Sequence, residues 1–185
     1  MSSAYFSRLT AIGAAEQAHA IATGGTLTFT HLAIGDGNGA QVMPDPAQQG
    51  LVHEVYRTVV NRVFEDTSNP GRVVVEAVIP VAIGGWTIRE VGIYGNGGKF
   101  MVVGNFPATY KPLPAEGALR DQLVRVVIQL SDDAVVQLTV DGSVVIVTHE
   151  SLAQAIADHK AADDPHPQYL NQARLASRLY FFGQL

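Results

Sequence analysis

A chain of 185 residues, 47% hydrophobic and 16% charged, is long enough to bury an apolar core, so one folded domain with an appendage is expected. Twelve basic side chains, scattered singly, stand against seventeen acidic ones for a net charge of −5, which argues against nucleic acid as a partner. Cysteine is absent, excluding disulfides, thiolate metal sites and a cysteine nucleophile.

The opening residues, Met1 to Arg8, lack the basic region and apolar run of an export signal. No later stretch approaches the roughly 20 apolar residues of a membrane helix. The expectation is a soluble protein assembled in a cytoplasm, without membrane insertion. Residues 6–23 are rich in Ala, Glu and Gln, with Leu9, Ile12, Ala15 or Glu16, His19 and Ala22 at helical spacing and Gly24-Gly25 as the stop. They predict an opening helix. Residues 27–34 alternate as a strand and run into Gly35-Asp36-Gly37-Asn38-Gly39, followed by a loop with Pro44 and Pro46. The stretch 51–65 fits both periodicities, and its β-branched content favours strand in the second half.

Residues 72–80, 86–94, 99–106, 123–130, 134–140 and 144–148 read as strands separated by turn-forming residues. Connections this short predict antiparallel neighbours. Between them, 107–120 carries Pro107, Pro112 and Pro114 and reads as a long excursion suited to a contact surface. A final helix is predicted from a Thr148 cap to about Ala162, with Leu152, Ile156 and His159 at four-three spacing, a narrow stripe suited to a coiled seam. After it, Asp163-Asp164-Pro165-His166-Pro167-Gln168-Tyr169-Leu170 is locked into extended geometry by its prolines, so the chain leaves its own core there. The fold class is α+β: a mainly antiparallel β domain with an N-terminal helix over residues 1–147, then a C-terminal helix and extended trimerising stem over 148–185.

Chemistry-bearing residues are sparse. Gly35 to Gly39 lacks the Gly-Lys-Ser/Thr of a phosphate loop, the dinucleotide-fold spacing and the acidic ladder of a calcium loop, and reads as a structured turn. His159, Asp163, Asp164 and His166 are the densest set of metal-ligand types. His166 on a threefold axis is the one candidate for a metal, which would be architectural; the expectation is no metal and no cofactor. No Gly-x-Ser-x-Gly elbow is present, so no catalytic residue is assigned. Glu54, Glu65, Glu76 and Glu90 read as solvated or salt-bridged strand residues, and Arg89-Glu90 as a partly buried charge pair that fixes the fold. Trp86, Tyr94, Phe100, Phe106 and Tyr110 read as core rather than as a sugar-stacking platform.

Taken in order, five blocks resemble the N-terminal, baseplate-proximal region of tail-fibre proteins of contractile-tailed phages and R-type tailocins. They are the opening helix with Leu9-Thr10-Ala11-Ile12-Gly13-Ala14-Ala15, the His31 to Gly39 block, Trp86-Thr87-Ile88-Arg89-Glu90-Val91-Gly92-Ile93-Tyr94, Tyr110-Lys111-Pro112, and Asp164-Pro165-His166-Pro167-Gln168-Tyr169. The resemblance runs through nearly the whole chain. It implies a homotrimeric, non-enzymatic structural protein of the virion tail, assembled in the bacterial host cytoplasm, linking a baseplate protein to a distal tail-fibre protein and meeting host-surface glycan only indirectly. Pattern and position then assign baseplate docking to Leu9, Ile12, Gly35, Asp36, Gly37 and Asn38. The trimer stem falls to Leu152, Ile156, His159, His166 and Tyr169. The apolar tail segment Leu179, Tyr180, Phe181 and Phe182, costly to leave in water, is assigned to fibre connection. Fibres of this kind are generally several times longer, so the chain is expected to be a short adaptor or a piece of a longer fibre. The alternatives are a carbohydrate- or receptor-binding module built on the aromatics, and a glycan depolymerase built on paired carboxylates.

Overall fold

The computed structural model describes residues 5–66, 69, 71–117, 120–130, 135–136, 139–140 and 149–162. Two compact units divide the chain, Met1–Val145 and Ile146–Leu185.

The first unit begins with a strand, where the sequence predicted helix. β1, Ser7–Leu9, pairs antiparallel with a later strand through Ser7↔Gly104, Arg8↔Val103 and Leu9↔Val102. Thr10 then stops the strand and starts the helix, because its Oγ1 accepts the Gly13 N–H at 3.0 Å. Helix α1 therefore spans Ala11–Thr23 and ends on Gly24 in the left-handed region, with the Gly25 N–H returning to Ala20 O at 2.8 Å. Three residues of strand are too few to show a period, so the helical spacing upstream of Thr10 was a coincidence of composition.

The strands that follow are β2 (Phe29–Gly35), β3 (Glu54–Val59), β4 (Arg62–Glu65), β5 (Arg72–Ile79), β6 (Trp86–Gly95), β7 (Phe100–Lys111), β8 (Gln122–Gln129) and β9 (Thr139–Val140). They form two antiparallel sheets, ordered β1-β7-β6-β2-β3 and β8-β5-β4-β9. The ambiguous stretch 51–65 is two strands in different sheets. Val60 N still bonds Thr30 O while Asn61 N already bonds Glu76 O, so the side-chain facing changes mid-stretch and blurs the period. Two further expectations are corrected. β5 and β6, despite their short link through Gly84-Gly85, lie in different sheets, and β5 pairs instead with β8 from Arg72↔Gln129 to Ile79↔Gln122. Residues 107–111 are strand rather than excursion: β7 continues to Lys111, opposite Trp86. Beyond Asn105, among the described residues, β7 pairs only with β6, and proline is tolerated on such an edge.

The expected strand at 134–140 is reduced, among the described residues, to β9 and a bridge from Val136 to Leu27; that at 144–148 lies outside the described residues. Inward residues of both sheets, among them Leu32, Ile34, Val75, Ile79, Ile93 and Val124, make the main core. Alternate residues of the five-stranded sheet make a second, smaller cluster of Ala33, Tyr94, Phe100 and Val103, with Leu51 from the long loop packed against it. Strands β2 and β6 are thus apolar on both faces, which is why they read as near-continuous apolar runs.

In the second unit, α2 spans His149–Ala161, with Leu152, Ile156 and His159 exposed. No helix among the described residues is long and apolar enough to cross a membrane.

Candidate docking surface

The long loop between β2 and β3 is the feature this scaffold organises most closely. It opens with a 3-10 turn, Gly37–Gly39, in which Asp36 Oδ1 accepts the Asn38 N–H at 2.9 Å and Asp36 O accepts the Gly39 N–H at 3.1 Å. Asn38 takes a positive φ of 53°, which asparagine tolerates better than other side chains. His53, at the far end of the loop, closes it: its Nδ1 lies 2.7 Å from Asp36 Oδ1, and its carbonyl accepts the Asp36 N–H at 3.1 Å. Beneath this closure sits Glu90, fully buried, whose carboxylate accepts the N–H groups of Val52 at 3.0 Å and His53 at 2.9 Å. Gly35 is glycine because a Cβ there would overlap the Glu90 carboxylate. Arg89 Nη1 donates to Asp36 O at 3.3 Å, and Gln41 Nε2 to Phe106 O at 3.2 Å. The His53 hydrogen bond outweighs partial burial and, helped by the Asn38 N–H and the charges of His53 and Arg89, holds the Asp36 carboxyl below its usual range.

The same loop reaches the opening helix. Pro46 O accepts the Ala11 N–H at 2.8 Å, satisfying one of the donors a helix N-terminus leaves over. Thr10 fastens this junction to β7, its N–H donating to Met101 O at 3.0 Å and its hydroxyl to Phe100 O at 2.5 Å.

The loop thus meets the start of α1 at Pro46, and the residues assigned to docking differ in role. Ile12 and Asn38 are exposed, Asp36 is half-buried within the clasp, Leu9 packs against the core, and Gly35 and Gly37 are buried. Sequence reasoning missed Met43, 66% exposed, and Val52, 50% exposed, both on this loop. The signal available was two apolar residues in a Pro- and Gly-rich segment. It also missed the partners of Glu90, which binds backbone N–H groups rather than an adjacent arginine. Of the other acidic strand residues, Glu76 is buried and paired with Arg125 at 2.5 Å, and Glu54 is paired with Arg57 at 2.7 Å.

The aromatics do not assemble into a platform. Tyr94 and Phe100 are buried with ring centroids 5.0 Å apart, Trp86 stacks on Tyr56, and Tyr110 is exposed with its hydroxyl donating to Glu116 at 2.7 Å. Two surface pockets of about 210 and 230 Å³ fall below the usual size of ligand sites. Among the described residues no group of three metal-ligand side chains converges. His166, Tyr169, Leu179, Tyr180, Phe181 and Phe182 lie outside the described residues.

Buried polar groups of the two-sheet antiparallel scaffold thus fix the shape of one surface loop. Residues 1–150 match the family profile "phage tail-collar fibre protein, N-terminal". Over 153 residues the chain is 40% identical to a "Probable tail fiber protein" of Escherichia phage P2, covering 82% of this chain and 23% of that protein. The chain belongs to the phage tail-collar fibre protein family, and so to the structural proteins of the virion tail. It spans about a quarter of the length of that relative. No solved structure matches.

Proposed function

We propose that this chain is a fibre adaptor: residues 1–147 attach to the tail baseplate, and residues 148–185 join three copies and lead to the distal receptor-binding fibre. The observation that carries the docking half is the Ala11–Pro46 bond. It welds the start of α1 to the clasped loop, so that Ile12, Asn38 and Met43 are presented by one fixed backbone. A loop held by a buried carboxylate loses little further entropy on binding, which favours tight attachment. Leu152, Ile156 and His159 on α2, with His166 and Tyr169 beyond it, form the stem. Leu179, Tyr180, Phe181 and Phe182 meet the distal fibre protein. The chain performs mechanical attachment rather than turnover, host glycan is met only by the distal fibre, and assembly takes place in the host cytoplasm.

The test is reconstitution of fibre-less tails with purified protein. Ile12→Asp and Met43→Asp are expected to abolish recruitment while leaving the urea unfolding curve unchanged. Full recruitment by both variants defeats the docking assignment. Deleting residues 179–185 is expected to leave baseplate binding intact and lose the distal fibre.

A further inference from the structure

The sequence holds two Asn-Gly dipeptides, Asn38-Gly39 and Asn96-Gly97, each preceded by glycine. Asparagine is among the thermally labile side chains, and a following glycine leaves the peptide nitrogen unhindered and its backbone free to rotate into attack. Chemically the two sites are near-duplicates. Structurally they differ.

At the first site the attacking atom is occupied. The Gly39 N–H donates to Asp36 O, the Asn38 N–H donates to Asp36 Oδ1, and Asp36 is itself held by His53. At the second, Asn96 opens the turn Asn96–Gly98 between β6 and β7, so Gly97 falls among the donors that a turn's start leaves without an acceptor. Among the described residues none accepts its N–H. Residues 96–99 are all exposed, and Gly97 and Gly98, at φ 69° and 71°, have open space where a side chain would stand. Across the turn the Gly95 N–H donates to Lys99 O at 2.9 Å.

We propose that Asn96 is a spontaneous deamidation site of the folded protein and that Asn38 is protected. The Gly97 nitrogen gives up its proton to solvent base and attacks Asn96 Cγ; the new N–Cγ bond closes a succinimide, the Cγ–Nδ2 bond breaks, and the nitrogen leaves as ammonia. Water then opens the ring at either carbonyl, giving aspartate or isoaspartate. No oxidant or cofactor enters. The product places a carboxylate at the rim of the pocket lined by Glu16 and His19, beside the Lys99–Glu16 ion pair of 2.6 Å. The β6–β7 turn and its link to α1 therefore acquire negative charge as the protein ages.

The experiment is incubation of the full chain in neutral and mildly alkaline buffer, followed by peptide mapping for the amide-to-acid mass change and enzymatic methylation of isoaspartate. Conversion at Asn96 is expected to run roughly tenfold faster than at Asn38, the order of effect one net hydrogen bond supplies, and to rise with pH. In urea the two rates should converge, and Asp36→Ala should bring Asn38 toward the rate of Asn96. Asn96→Gln should remove the acidic isoform. Equal rates at the two sites in the folded chain, or an Asn96 that converts only after unfolding, would overturn the proposal.

Discussion

A carboxylate with no exposed surface persists only where something replaces its lost water. For Glu90 the replacement is the pair of N–H groups from Val52 and His53, so the side chain anchors the loop rather than balancing a cation. Glu90→Ala strands both donors and is expected to cost about 2–4 kcal/mol, read as a lower urea midpoint, with Glu90→Gln losing roughly half as much because one acceptor remains. Gly35→Ala should cost about 1–3 kcal/mol by overpacking the same spot. Asp36 adds a pH dependence. Its pKa is depressed, so its contribution is complete above its ordinary value of 3.8 and is lost as pH falls through the lower folded-state value. Asp36→Asn should therefore lower the urea midpoint at neutral pH and flatten the acid limb of the stability curve below about pH 5, the two proteins converging as pH falls. The sequence shows Glu90 only as a charge inside an apolar run. Its partners sit 37 and 38 residues away, and no local pattern encodes a backbone donor at that distance.

Helix α1 sets two local rules against each other. Glycine at position 13 weakens a helix interior by about 1 kcal/mol relative to alanine, so propensity alone recommends Gly13→Ala. A Cβ there, however, would overlap the Met101 carbonyl in β7, and backbone of a central strand does not yield as a flexible side chain would. The steric cost wins, and Gly13→Ala is expected to destabilise the domain by about 1–2 kcal/mol in urea titration. Thr10→Ala should cost a similar amount by removing the cap and the bond to Phe100 O. At this scale the sequence was legible where an element is long and faces one environment: β5, β6, β8 and the body of α1 all lie within a residue or two of expectation. It was not legible where tertiary pairing overrides spacing. β1 exists because β7 offers an edge, β7 outruns Phe106 because β6 extends alongside it, and Val60-Asn61 changes sheet without a glycine or proline to mark the break.

Association is a matter of the whole chain. Leu152 and Ile156 are each 46% exposed on α2, so covering them gains on the order of 1 kcal/mol apiece, about half the value of full burial. Across three copies that is roughly 6 kcal/mol, set against two association steps that each cost at least about 4 kcal/mol in lost translational and rotational freedom. The stripe on α2 fixes register but does not by itself hold a trimer together. In the proposed adaptor the balance must come from residues 163–185, whose sequence carries the two prolines Pro165 and Pro167 and the apolar run through Phe182. A chain ending at Ala162 is therefore expected to run as a monomer at micromolar concentration by native mass measurement, with the urea midpoint of its β domain unchanged, while the full chain runs as a trimer. Ile156→Asp in the full chain should shift the population toward monomer. A full chain that stays monomeric removes the stem from the proposal. A shortened chain that still forms trimers relocates the contact to the β domain, whose exposed edge strand β3 then becomes the surface to mutate.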